Sequence, residues 1–245
     1  MKSRKHWLIA GKDIRELATN RMVLLPLILV PIVLCVVLPV VLLVVALSSN
    51  TLLVAGSQFI ERLLPAYPVP EAFGTVTERM LFVFFNYTMI PFFMLIPILV
   101  SSTIAAHAIA GEKERRTLET LLYTPVTNRQ FFLGKLLGAF VPALVVSTLS
   151  FALYFSVANL LYLALRGTMI VRSWVWLPAM LLLNPAASLL GMVVTLLVSL
   201  RSKTYLQAQQ SSALIVLPCV MFIGMQMPGI VVLGPLSIAL FGAVL

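Results

Sequence analysis

Gly111-Glu112-Lys113-Glu114-Arg115-Arg116-Thr117-Leu118-Glu119-Thr120-Leu121-Leu122-Tyr123-Thr124-Pro125 is a polar island between two long apolar segments, and its reading decides how the chain is laid out. Leu118, Leu121 and Leu122 fall at i, i+3 and i+4 and share one helical face, while Glu112, Arg115, Arg116 and Glu119 fall on the other. The spacing predicts a short amphipathic helix over residues 111–124. Glu112 precedes Arg116, and Arg115 precedes Glu119, at the i, i+4 distance, each pair contributing about 0.2–0.5 kcal/mol when exposed. Thr124-Pro125 stops the helix, because the residue before a proline is disfavoured in the helical conformation. Thr127-Asn128-Arg129-Gln130 then has the spacing of a capping box, with Val126 and Phe131 at the positions of a hydrophobic staple. The chain is expected to turn sharply and re-enter apolar sequence at Phe131-Phe132-Leu133-Gly134-Lys135-Leu136-Leu137-Gly138.

Composition sets the solvent. Hydrophobic residues make up 61% of the 245 and charged residues 10%, against about 25% charged in a typical soluble domain. Mean hydropathy is +1.07. The chain reads as an integral membrane protein. Its net charge of +9 is explained by topology and gives no reason to expect a nucleic-acid partner. Cys35 and Cys219 both lie in apolar runs and read as small buried hydrophobes.

Residues 22–47 are an unbroken apolar run, longer than the roughly 20 residues a spanning helix needs. A cleaved signal peptide ending near Ala46-Leu47-Ser48 is the competing reading, disfavoured because such apolar cores are usually about 7–15 residues. Pro26, Pro31 and Pro39 should kink or tilt this first span. Ahead of it, Trp7, Ala10, Ile14, Leu17 and Ala18 line one face, with Lys5, Lys12, Asp13, Glu16 and Asn20 largely elsewhere. That pattern predicts a helix over residues 4–20 lying in the membrane interface, with a disordered basic tail as the alternative. Residues 48–79 form a connection rich in proline, and Thr75-x-x-Glu78 caps the next helix. Further spans are expected over 80–110, 131–165, 175–200, 211–227 and 230–245, the last two joined at Pro228-Gly229. The fold class is therefore all-α: a single polytopic domain over residues 1–245 with about six transmembrane helices.

The basic residues orient it. Lys2, Arg4, Lys5, Lys12, Arg15, Arg21, Lys113, Arg115, Arg116, Arg129, Lys135, Arg201 and Lys203 fall on one side, which should be cytoplasmic together with the N-terminus. Only Arg62, Arg79, Arg166 and Arg172 lie opposite, where Tyr162, Trp174 and Trp176 are expected as interface anchors.

The pattern Gly-Glu-Lys-Glu-Arg-x-Thr-Leu-Glu-x-Leu-Leu from Gly111, followed by Thr124-Pro125-Val126 and Gly134-Lys135-Leu136-Leu137, resembles the first cytoplasmic loop of ABC-2 type transporter permeases. Arg201-Ser202-Lys203-Thr204-Tyr205-Leu206-Gln207-Ala208-Gln209-Gln210 looks like the loop before the fifth span in the sodium-export-like branch. The resemblance implies the permease subunit of an ATP-driven exporter in the cell membrane, paired with a separate cytoplasmic ABC ATPase that carries ATP and Mg. It implies a homodimer, or a pair with a similar permease. It makes residues 111–124 a coupling helix, with Leu118, Leu121 and Leu122 seating it in the ATPase and Glu112, Arg115, Arg116 and Glu119 fixing its register. The connection at 48–79 is shorter than in larger members of that branch, and the last span reads short, with a re-entrant hairpin over 228–245 as the alternative.

Catalytic motifs are missing from the sequence: there is no phosphate loop, no H-E-x-x-H and no G-x-S-x-G, so no catalytic residue, cofactor or metal site is assigned to this chain. His107 near Glu112 and Glu114 reads as a helix-end residue rather than a metal site. Asn86, Tyr87, Thr88, Ser101, Ser102, Thr103, Asn159, Asn184 and Gln226 are polar positions within spans, which more often bond helix to helix than line a substrate path. Gly134-x-x-x-Gly138 suggests close packing within or between subunits. Two other classes remain open on sequence. A secondary transporter would need ionisable groups inside the membrane. A non-transporting scaffold or biogenesis subunit would differ in that no substrate stimulates the partner ATPase.

Overall fold

The computed structural model describes residues 21–48, 67–114 and 128–217, together with residues 11, 64, 116, 220, 221 and 242. Among these there is no strand, and four helices are long and apolar enough to cross a membrane. We number them α1 (residues 21–48), α2 (Val76–Glu114), α3 (Asn128–Arg166) and α4 (Trp176–Arg201), followed by the short α5 (Tyr205–Ser212). The first four expected spans thus appear within a few residues of their expected bounds. The interfacial helix at 4–20 and the sixth span lie outside the described residues except for Gly11 and Gly242, as does most of the fifth span beyond residue 217.

The start of α2 follows the sequence closely. Thr75 Oγ1 accepts from the Glu78 amide at 3.2 Å and Glu78 Oε2 accepts from the Thr75 amide at 3.3 Å, so two orphan donors of the first turn are met reciprocally. At 39 residues, α2 is about 59 Å long at about 1.5 Å per residue, well over the roughly 30 Å of a hydrocarbon core. Its ends therefore project beyond the apolar layer.

The four long helices alternate in direction. Glu112 near the end of α2 meets Lys135 near the start of α3, and Lys113 meets Leu200 and Ser202 at the end of α4. Glu78 near the start of α2 meets Arg166 at the end of α3, 3.8 Å away, at the opposite end of the bundle. We call the first of these the charged end. α2 is the central helix: 83% of its apolar stretch is buried, against 22% for α1, 28% for α3 and 44% for α4.

Side-chain size sets how the helices meet. Where α2 crosses α4, a Cβ on Gly191 would lie 2.9 Å from the Ile98 carbonyl oxygen and 2.6 Å from Ser101 Oγ, so only glycine lets the backbones approach this closely. In the half of the bundle away from the charged end, Phe93 of α2 stands edge-on to Tyr154 of α3 (4.8 Å between centroids) and Trp176 of α4 (5.1 Å), favourable geometry for aromatic quadrupoles. The Tyr154 hydroxyl donates to the Phe85 carbonyl at 2.7 Å, so the one polar atom of that side chain is satisfied. Trp176 and Tyr162 are buried here and are not the interface anchors expected from sequence, whereas Trp174 is 82% exposed and fits that role. The difference is local: Trp176 opens α4 facing α2 and α3, while Trp174 precedes the helix. Gly134 and Gly138 are both buried within the chain.

Candidate coupling site

α2 does not stop at Ala110. A π-turn over His107–Gly111 carries it on, and Glu112–Glu114 form its last turn. Arg116 then takes a left-handed backbone, φ 57°, with its amide donating to the Lys113 carbonyl at 3.1 Å. A left-handed residue beyond the last turn is a common way for a helix to end, though a non-glycine residue meets steric cost there. The helix expected to begin at Gly111 therefore does not begin there: Gly111 to Glu114 belong to the span.

Glu112 moves accordingly. Sequence periodicity places it on an outward face, paired with Arg116; instead its Oε1 lies 2.9 Å from Lys135 Nζ of α3, and both side chains are buried. Lys135, counted with the flanking cations, is 1% exposed, and its ammonium also stands 5.7 Å above the Phe131 ring. Such a buried pair is held in register by its geometry, since removing one partner costs about 3–5 kcal/mol. Lys135 is legible in the sequence as an anomaly, a cation inside the apolar run 131–138, but nothing in that run names Glu112 as its partner.

The next two residues turn to other neighbours. Lys113 Nζ donates to the Leu200 carbonyl at 3.2 Å and the Ser202 carbonyl at 3.0 Å, where α4 ends. Glu114 Oε2 accepts from the Tyr205 amide at 2.9 Å, the first amide of α5. Thr204 caps α5 by accepting from the Gln207 amide, and Gln207 Oε1 accepts from the Lys203 amide at 2.9 Å, so the turn between α4 and α5 is itself rigid. His107 is buried against Tyr205, ring edge to face at 5.9 Å. Burial raises the Tyr205 phenol above its ordinary range and keeps it neutral. No group of metal-ligating side chains is assembled among the described residues. Arg116 is exposed; Arg115, Leu118, Glu119, Leu121 and Leu122 lie outside the described residues.

Several polar residues inside the spans have structural partners, whereas the buried hydroxyls of Thr195 and Ser199 in α4 have none among the described residues. Asn86, fully buried, donates to the Phe82 and Ile170 carbonyls and accepts from the Arg172 and Ser173 amides. Asn159 donates to the Val171 carbonyl and accepts from the Ile170 and Val171 amides. Together they pin the connection between α3 and α4. Asn184 accepts from Ser147 at 2.8 Å, joining α4 to α3. Ser101 and Ser102 donate to carbonyls of their own helix.

A family model for ABC-2 family transporter proteins matches residues 7–241, nearly the whole chain. Neither the curated proteins nor the solved structures give a match. With an all-helical fold of long apolar spans and a match of that extent, the chain belongs to the ABC-2 transporter family and is a multi-pass membrane permease component of an ABC transporter.

Proposed function

We propose that this permease is an exporter subunit driven by a separate cytoplasmic ABC ATPase, which binds ATP and Mg, and that residues 115–127 form the surface on which that ATPase acts. The observation supporting this reading is that the segment directly follows α2, the central and most buried helix, so a displacement there reaches the middle of the bundle. Leu118, Leu121 and Leu122 seat the ATPase through their shared apolar face, and Arg115, Arg116 and Glu119 set register by charge. The charged end faces the cytoplasm of the cell, in keeping with its basic residues. The permease works as a pair, a homodimer by default, through α1, whose Val33, Val37, Val41 and Val44 are exposed along one side.

Leu121→Asp tests the coupling surface. The permease should insert normally, yet recover at least tenfold less ATPase on co-purification, because a carboxylate is desolvated at the contact. Undiminished ATPase recovery with unchanged nucleotide-dependent transport would reject the assignment.

A further inference from the structure

Three consecutive residues at the end of α2 hold three different elements. Side chains one position apart on a helix point about 100° apart, so Glu112, Lys113 and Glu114 span more than half the circumference and reach α3, α4 and α5 respectively. At each contact the charge suits what it meets. Lys113 sits at the C-terminus of α4, where the last carbonyls lack helical partners and the dipole is negative. Glu114 sits at the N-terminus of α5, where the first amides are orphaned and the dipole is positive. Glu112 meets the cation of Lys135. Exchanging the identities of Lys113 and Glu114 would set each against a like-signed helix end. Lys113 and Glu114 also grip both sides of one turn, Ser202 before it and Tyr205 after it. Arg116, two residues on, takes a left-handed backbone.

Resting on the coupling reading above, we propose that Glu112-Lys113-Glu114 is a three-way joint: it transmits displacement of residues 115–127 to α3, α4 and α5 together, and its members are positioning residues rather than contacts for the ATPase. This reassigns Glu112, which the family pattern placed on the ATPase-facing side.

The test uses the complete permease–ATPase complex, co-expressed and purified, with Cys35→Ala, Cys219→Ala and an environment-sensitive fluorophore on Thr168→Cys, an exposed position in the α3–α4 connection far from the joint. In this background, Mg-ATP with vanadate should change the fluorescence, and no change with the ATPase retained and active would overturn transmission to this connection. Adding Lys113→Ala and Glu114→Ala should cut that change at least fivefold, while the ATPase still co-purifies and hydrolyses ATP. Lys113→Arg with Glu114→Gln should restore it, since a guanidinium still donates to the two carbonyls and an amide oxygen still accepts from Tyr205. A merely structural loss would lower ATPase recovery and thermal midpoint along with the signal and would show no such split. Should the double alanine variant be recovered poorly, Lys113→Met removes the same carbonyl bonds while keeping the stem and is held to the same outcome. A full fluorescence change in either variant overturns the joint. Loss of the ATPase together with the signal overturns it too, by making these residues contacts. Failure of the unaltered background to retain any ATPase brings down the coupling reading itself.

Discussion

Asn86→Ala should loosen the connection between α3 and α4 from the inside. The side chain holds that connection by three bonds, to the Ile170 carbonyl at 2.8 Å and the Arg172 and Ser173 amides at 3.2 and 3.0 Å. Arg172 is exposed, so its amide can turn to water, and it contributes little to the cost. Ile170 is fully buried, and its carbonyl loses a partner it cannot replace, a penalty of about 1–3 kcal/mol. The half-buried Ser173 amide adds about 0.5–1.5 kcal/mol. The central sum is about 3 kcal/mol, which at about 1.4 kcal/mol per tenfold is about a hundredfold in the local opening equilibrium. Hydrogen exchange on the purified protein, resolved over residues 168–175, reads this directly. Exchange at Ser173 should accelerate by about that factor, while the Ile170 and Val171 amides, which donate to Asn159, retain more of their protection. Asn159→Ala should show the converse pattern. Exchange at Ser173 within about threefold of the parent, less than about 1 kcal/mol, would refute the view that Asn86 is a structural lock and return it to the residues that could line a substrate path.

Breaking the Glu112–Lys135 pair with Lys135→Met should cost about 3–5 kcal/mol, or about 6–20 °C at about 2–4 °C per kcal/mol, read as the midpoint of a heat challenge followed by gel filtration. The double variant Glu112→Gln with Lys135→Met should recover most of the loss, and a double variant as unstable as the single one would show that the pair is not what holds these helix ends. Gly191→Ala should cost about 1–3 kcal/mol by overpacking; adding Ser101→Ala should not rescue it, because the Ile98 carbonyl oxygen still lies 2.9 Å from the new Cβ. With Cys35 and Cys219 replaced, Pro68→Cys should react with an impermeant thiol reagent added to intact cells and Lys203→Cys should not; the reverse pattern would overturn the orientation. Cysteine pairs at Val37 and Val41 should trap dimers in membranes, and monomers alone across all pairs along that exposed side of α1 would leave lipid as its cover.

Helix periodicity fails at one informative place. Spacing within residues 111–124 says which residues share a face but not which neighbour that face meets, and the π-turn over His107–Gly111 adds a residue to one turn and rotates the residues beyond it by about 100° relative to the rest of α2. Glu112 therefore meets Lys135, a buried ammonium inside an apolar bundle that needs a counter-charge. No π-turn is announced by the local sequence, since it depends partly on neighbouring helices satisfying the loosened backbone, as Tyr154 of α3 does for the Phe85 carbonyl within Phe84–Thr88.

What could be read from residues in order was whatever depends on short-range physics. Apolar run length located the first four spans, because water exclusion acts on every residue of a run, and the Thr75–Glu78 capping box marked the start of α2, because both partners lie within one turn. The family pattern was legible for the same reason, being a contiguous string from Gly111 to Gly138. Contacts between distant segments were not. That Trp176 packs inward while Trp174 faces out, that Asn86 reaches residues 170–173, and that Glu112, Lys113 and Glu114 divide themselves among three helices all depend on which helices become neighbours. Side-chain direction at a crowded helix end is set by the charges and orphan backbone groups brought alongside it, and those come from elements up to 91 positions away in the chain.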